Sequence, residues 1–267
     1  MRDDLVAGLS HDFGVHPYGK WRGAFWRLIS LAELGVGPRH NGARAAADDA
    51  LAWLASPTRL NRIHKRVIEG RTRRCATQDG RALWACRTIG IDDPRLDTLA
   101  ESLVATQWPD GGWNCDVSPA ASHSSFHETW GPITGLAVYG ATEEAQTAAG
   151  RGADFLLRHR LVFSERTGEP AHPVLRQLRF PPYWHYDLLE GLRAVHDAGG
   201  LADPRTADAL DLLESKRLPD GTWRCEGKWW KRPGSKGSNV EAVDWGDAAD
   251  ELLTERARAV LRAAGRA

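Results

Sequence analysis

The stretch Glu101–Leu136 reads ESLVATQWPDGGWNCDVSPAASHSSFHETWGPITGL. A polar helix end runs into Pro109-Asp110-Gly111-Gly112, Trp113 follows the turn, and a Ser-His-Glu cluster opens an apolar helix. Proline fixes φ and glycine supplies φ > 0, so this tetrapeptide forces the chain sharply back on itself. The signal returns at Arg217-Leu218-Pro219-Asp220-Gly221-Thr222-Trp223-Arg224-Cys225. Pro109 and Pro219, Asp110 and Asp220, Trp113 and Trp223, and Cys115 and Cys225 all stand 110 residues apart. Four matched residue types at one offset define a repeat, and a repeat constrains the fold before any single helix does.

Working outward, five apolar segments end in glycine, the usual residue just past a helix C-terminus. They are Lys20–Gly35, Ala76–Gly90, Ser124–Gly140, Pro182–Gly199 and Asp247–Gly265, with closing glycines 55, 50, 59 and 66 residues apart. More charged amphipathic segments lie between them: Ala43–Ala55, Pro94–Gln107, Glu143–His159 and Pro204–Lys216. Pro94 and Pro204 each follow Asp, which reads as a cap and first helical residue. Period-2 alternation is almost absent, so an all-α protein is expected. Helix pairs that stack only on neighbours form either an open solenoid or a closed ring. The apolar set keeps polar residues at its N-terminal ends, which favours the ring: an (α/α) toroid of about five inner and four to five outer helices, as one domain over residues 1–267.

The 267 residues, 42% hydrophobic, suffice for a sizeable core. A formal net charge of zero gives no reason to expect nucleic acid as a partner. An acidic N-terminus and the lack of any run of about 18 apolar residues predict neither a signal peptide nor integral membrane association. Four cysteines in such a chain read as reduced, cytoplasmic thiols. Twelve tryptophans against one methionine are the oddity, because the indole is too large and too polar at its N–H to serve as mere filler.

The Gln107-Trp108-Pro109-Asp110-Gly111-Gly112-Trp113 run resembles the Gln-Trp repeat of squalene–hopene and oxidosqualene cyclases. The same layout, with Ser125-Phe126-His127 ahead of Ile133-Thr134-Gly135-Leu136, looks like the β-subunit of protein prenyltransferases. The resemblance implies the toroid fold over nearly the whole chain. It also implies an enzyme acting on a hydrophobic small molecule in an aromatic-lined central cavity. The cyclases protonate through Asp-x-Asp-Asp, which is absent here. The prenyltransferases hold zinc with Asp, Cys and His, whereas here His127 falls one position further from its Gly-Leu pair and no Asp-x-Cys opens the neighbouring inner segment.

Counting twelve back from the closing glycines places Gln78, Glu128 and Asp187 in one frame, with Asp79, His127, Tyr186 and His185 beside them. Carboxylates and imidazoles converging in a desolvated cavity would suit general acid/base work. Glu128, Asp187, His127, His185 and Asp79 are therefore the candidate catalytic residues; the plain alternative is helix capping. Trp21, Trp26, Trp84, Trp130, Tyr183, Trp184 and Tyr186 lie on the apolar set and, with Gln78, are candidates for substrate contact; the plain alternative for each is core packing. Trp113 and Trp223 read as structural pins between repeats. The long segment Trp223–Trp245, with Trp229 and Trp230 among Lys228, Lys231, Arg232 and Lys236, is a candidate lid or anion-binding loop. Arg71, Arg73 and Arg74 form a second basic cluster. Cys75, Cys86, Cys115 and Cys225, with His123 and His127, offer no C-x2-C pair, so no metal and no cofactor is expected. The leading function is cyclase-, lyase- or isomerase-type chemistry on a hydrophobic small molecule. A carbohydrate-active toroid and a non-catalytic binding scaffold are the alternatives.

Overall fold

The structure, a computed structural model, describes residues 2–266. Eleven α-helices account for most of it: α1 Arg2–Leu9, α2 Ala24–Glu33, α3 Asn41–Leu54, α4 Pro57–Lys65, α5 Ala76–Ile89, α6 Arg95–Ala105, α7 Phe126–Tyr139, α8 Glu143–Arg158, α9 Leu188–Asp197, α10 Ala207–Ser215 and α11 Ala248–Ala263. The protein is all-α apart from a two-residue hairpin, β1 Val67–Ile68 with β2 Arg71–Thr72, closed by Glu69 and Gly70, both at positive φ. No described helix is long and apolar enough to cross a membrane.

The apolar set packs in chain order: α2 on α5, α5 on α7, α7 on α9, α9 on α11. The amphipathic set lies over it, with α3 against α2 and α5, α6 against α5 and α8, α8 against α7 and α9, and α10 against α9. Buried apolar side chains from Leu5 to Leu261 join in one cluster. Gly90 and Gly140 end α5 and α7 in the left-handed conformation, as their position in the sequence predicts. The fourth apolar segment differs from expectation. Pro181, Pro182 and a positive-φ Tyr183 keep residues 182–187 irregular, and α9 starts only after Asp187. The helices α1 and α4 carry no closing glycine, and the sequence reading passed over both.

The repeat is visible in atomic detail. Gly111 and Gly221 occupy the positive-φ position of their turns. Trp108 N–H donates to Gly112 O and Leu218 N–H to Thr222 O. Each tryptophan after the turn then ties three elements together. The Trp113 indole N–H reaches Leu103 O on α6 at 3.0 Å, and its backbone N–H reaches Thr129 Oγ1 on α7. Trp223 does the same with Leu213 O on α10 and Thr254 Oγ1 on α11. Asp93 and Arg95 at the start of α6 are mirrored by Asp203 and Arg205 just before α10, with matching forked contacts.

The contact of α5 with α7 is backbone to backbone. A Cβ placed on Gly80 would stand 2.3 Å from the Gly131 carbonyl, and one on Gly135 would stand 2.2 Å from Gly80 O. Gly80→Ala is therefore expected to force the helices apart and to cost about 1–3 kcal/mol or more in chemical denaturation. An unchanged midpoint would mean that the contact is looser than described. Trp113→Ala and Trp223→Ala each remove a fully buried indole together with its carbonyl contact. Each should lower stability by roughly 3–5 kcal/mol, read in the same experiment.

Candidate functional site at the N-terminal ends of α5 and α7

Because α5 and α7 touch backbone to backbone, their first turns face each other. Cys75 is the N-cap residue of α5 and makes no side-chain capping bond. Glu128 sits in the first turn of α7, buried, and its Oε2 accepts the Thr77 N–H across the interface at 3.1 Å. Thr77 also donates its hydroxyl to His127 O. The third partner arrives by the loop after the turn. Arg74 N–H donates to Asn114 O, which lays residues 114–115 beside the start of α5. As a result Cys75, Cys115 and Glu128 have ligand-type atoms all within 4.8 Å of one another.

The electrostatics of this cluster are uneven. Cys75 is held below the usual thiol range, first by a hydrogen bond from Cys115 and further by Arg59 and Arg66, against the effect of burial. Cys115 moves the other way, because it gives that hydrogen bond, is itself partly buried and stands beside Glu128. Burial raises Glu128, opposed by the Thr77 N–H and by Cys115. Tyr18 stands near the cluster, its hydroxyl raised to about 12 chiefly by burial.

Cys75 and Gln78 open onto a cleft of about 380 Å³ whose walls include Trp53, Ile63, Arg59, Arg62 and Arg66. Arg59 grips Asp79 with two nitrogens and Gln78 with one. Arg62 and Arg66, both exposed, have no carboxylate partner among the described residues. Arg73 and Arg74 belong to the interior rather than to a solvated basic face. Arg73 lies on the Trp108 ring and donates to Ala121 O, while Arg74 donates to Ser102, Thr106 and Asp79.

The other candidate residues are distributed as follows. Asp79 is fully buried between Arg59 and Arg74, which outweigh burial and hold its carboxyl below the ordinary range. Asp187 is the N-cap of α9 and accepts the backbone N–H groups of Leu189, Glu190 and Arg179. Burial and Glu190 nevertheless push it up to about 7. It lies one turn earlier, relative to its helix, than Glu128 does, because α9 begins late. His127 accepts the Tyr186 N–H at Nδ1. His185 is sandwiched between Trp184 and Trp229, with centroids 3.8 and 3.6 Å away. Both imidazoles are neutral, lowered by burial to about 4 and about 3.

The aromatic residues pack largely on one another. Trp21 stacks on Tyr183 at 3.8 Å, and Trp26 meets both edge-on. The indole N–H groups of Trp21, Trp26, Trp130 and Trp230 donate to Trp229, Tyr18, Trp184 and Phe180 carbonyls, and the Tyr186 hydroxyl to Leu161 O. The 223–245 segment is thereby fastened onto residues 178–186 by Trp229 and Trp230.

Sequence reasoning missed a second polar centre. Glu33 of α2 pairs with Arg81 of α5, Arg193 of α9 and Arg256 of α11, and Glu190 pairs with Arg193 and Arg256. Arg81 is held between the Trp84 and Trp130 rings. Against known protein families, curated proteins and solved structures, the chain finds no match.

The neutral histidines set a pH dependence. In the unfolded chain a histidine takes a proton at about pH 6.5, whereas His127 and His185 in the folded chain refuse it until far lower. Stability from this source is therefore lost as pH falls from about 6.5 towards about 4. Asp187 and Glu241, raised to about 7 and about 8, act in the opposite sense, since their contribution is lost as pH rises. The test is thus a difference: His185→Phe should lose less stability than the parent between about pH 7 and about pH 5 in urea titrations. Equal losses would show that His185 takes up its proton as readily folded as unfolded.

Proposed function

We propose that the eleven helices form an (α/α) ring, with α2, α5, α7, α9 and α11 inside, and that the protein is a small-molecule enzyme working where Cys75, beside the buried Glu128, meets the surface. What supports the ring is Glu33, whose one carboxylate is shared by α2, α5, α9 and α11. The reading of the site rests on one observation: a cleft that carries two arginines without carboxylate partners is also lined by the exposed Cys75, which stands beside a second thiol and a buried carboxylate. Arg62 and Arg66 suit an anionic head group, while Trp53 and Ile63 offer apolar wall to the rest of the ligand. The substrate is then an anionic amphiphile, in keeping with terpenoid-cyclase- or prenyltransferase-like chemistry of the lyase or isomerase kind. A glycosidic reaction needs two facing carboxylates. Asp79 is engaged by two arginines and Asp187 by three backbone N–H groups, whereas Glu128 accepts a single backbone N–H, from Thr77.

Tryptophan fluorescence titrated with inorganic pyrophosphate and with an isoprenoid diphosphate tests this reading. The isoprenoid compound should bind more tightly. Arg66→Glu should weaken both by about tenfold or more, equivalent to roughly 1.4 kcal/mol. Absence of saturable quenching in the parent, or equal affinity in the variant, sinks the cleft as the binding site.

A further inference from the structure

Some buried carboxylates in this protein carry a cation, while Asp187 accepts three backbone N–H groups and Glu241 the Ala242 N–H. Asp79 has Arg59 and Arg74, Glu33 has Arg81, Arg193 and Arg256, and Glu190 has Arg193 and Arg256. Glu128, equally enclosed, has no ion pair among the described residues and faces two sulfur atoms instead. Of its contacts only the Thr77 N–H is a strong donor, and that contact fixes the orientation of the carboxylate.

We propose that Cys75, Cys115 and Glu128 bind a zinc ion, with the fourth coordination position open to the arginine-lined cleft. Zinc takes thiolate at about 2.3 Å and carboxylate at about 2.0–2.2 Å, so tetrahedral ligand atoms stand roughly 3.3–3.8 Å apart. The three ligand atoms already lie within 4.8 Å, and small side-chain rotations close the remainder. Two sulfur ligands select zinc over magnesium or calcium, which want oxygen. Three protein ligands with one open position are the arrangement of a catalytic rather than a purely structural zinc. The two thiol protons leave to solvent as the ion enters.

The site is assembled by tertiary structure alone. Cys75 and Cys115 are forty residues apart in the chain and form no spacing motif with each other. The proposal departs from the expectation of no metal, and it uses neither His123 nor His127. His127 is excluded at Nδ1 because that nitrogen accepts the Tyr186 N–H. Residence of the ion does not depend on the proposed substrate; only its use in the cleft rests on that reading.

Elemental analysis of the intact chain, purified under reductant without a metal-binding tag, should give about one zinc per chain. Cys75→Ser and Cys115→Ser should each lose most of it, while Cys86→Ser and Cys225→Ser should keep it. Cobalt added to zinc-depleted protein should give the intense bands of a tetrahedral, thiolate-bound ion, and these should be absent in Cys75→Ser. That spectrum also tests any variant too unstable to purify with metal. Arg62→Glu, which reverses a charge of the cleft that does not act on Cys75, should leave metal content unchanged even where it weakens diphosphate binding, which separates this proposal from the substrate reading. Metal-free parent that gives only the weak spectrum of octahedral cobalt overturns the site. So does zinc retained in full by both Cys75→Ser and Cys115→Ser.

Discussion

The backbone contact between α5 and α7 governs everything near the site. Gly80, Gly131 and Gly135 let the two helices approach until the Gly135 Cα faces the Gly80 carbonyl, and Thr77 packs on Gly131. Glycine within a helix costs about 0.5–1 kcal/mol per residue relative to alanine. Pro132, on the same face, removes the N–H that would have bonded Glu128 O. Local preference therefore opposes α7 as a helix, and close packing over its whole length outweighs it. The reward is positional. With the axes this close, the first turn of one helix can bind the first turn of the other, as the Thr77 N–H binds Glu128.

Two buried carboxylates, Asp79 and Glu33, are clamped by arginines. A buried carboxylate without a partner costs several kcal/mol, and removing one member of a buried pair typically costs about 3–5 kcal/mol. Asp79 and Glu33 meet that requirement with two and three guanidinium groups. Both clamps join distant parts of the chain: α4 and the residues before α5 in one case, α2 with α5, α9 and α11 in the other. They fix which helices lie together as firmly as the apolar packing does. Asp79 is thereby unsuited to proton transfer, since two guanidinium groups hold it ionised.

The repeat, the turns and the helix alternation were legible because they depend on local chemistry: Pro-Asp-Gly, an indole after the turn, a closing glycine. Trp113 and Trp223 could be assigned as pins for the same reason. The frame that grouped Gln78 with Glu128 held because α5 and α7 both run to their closing glycines from a cap three residues earlier. It slipped at Asp187, where a Pro-Pro pair and a positive-φ tyrosine delay the helix. Arg81, Arg193 and Arg256 were missed because each reads as an ordinary surface charge until its helix is placed beside α2. The Cys75–Cys115 pairing was illegible too, since it follows from the α5–α7 approach and the Arg74–Asn114 backbone bond rather than from any spacing.

The two copies of the repeat provide an internal control on what Cys75 is for. Cys115 follows its turn as Cys225 follows the other, and both tryptophans bind a threonine of the next apolar helix, Thr129 or Thr254. The residue that caps the preceding apolar helix is Cys75 in the first copy and Asp187 in the second. Asp187 uses its side chain as a cap should, accepting the N–H groups of Leu189 and Glu190. Cys75 makes no such bond, and a poor cap costs the helix about 1 kcal/mol. Glu128, one residue before Thr129, corresponds to Leu253, one residue before Thr254. The second copy thus has a capped helix and an apolar residue where the first has a free thiol and a buried carboxylate. Structural demand alone is met by the second arrangement, so neither the thiol nor the carboxylate of the first is needed to start an apolar helix at this point of the repeat.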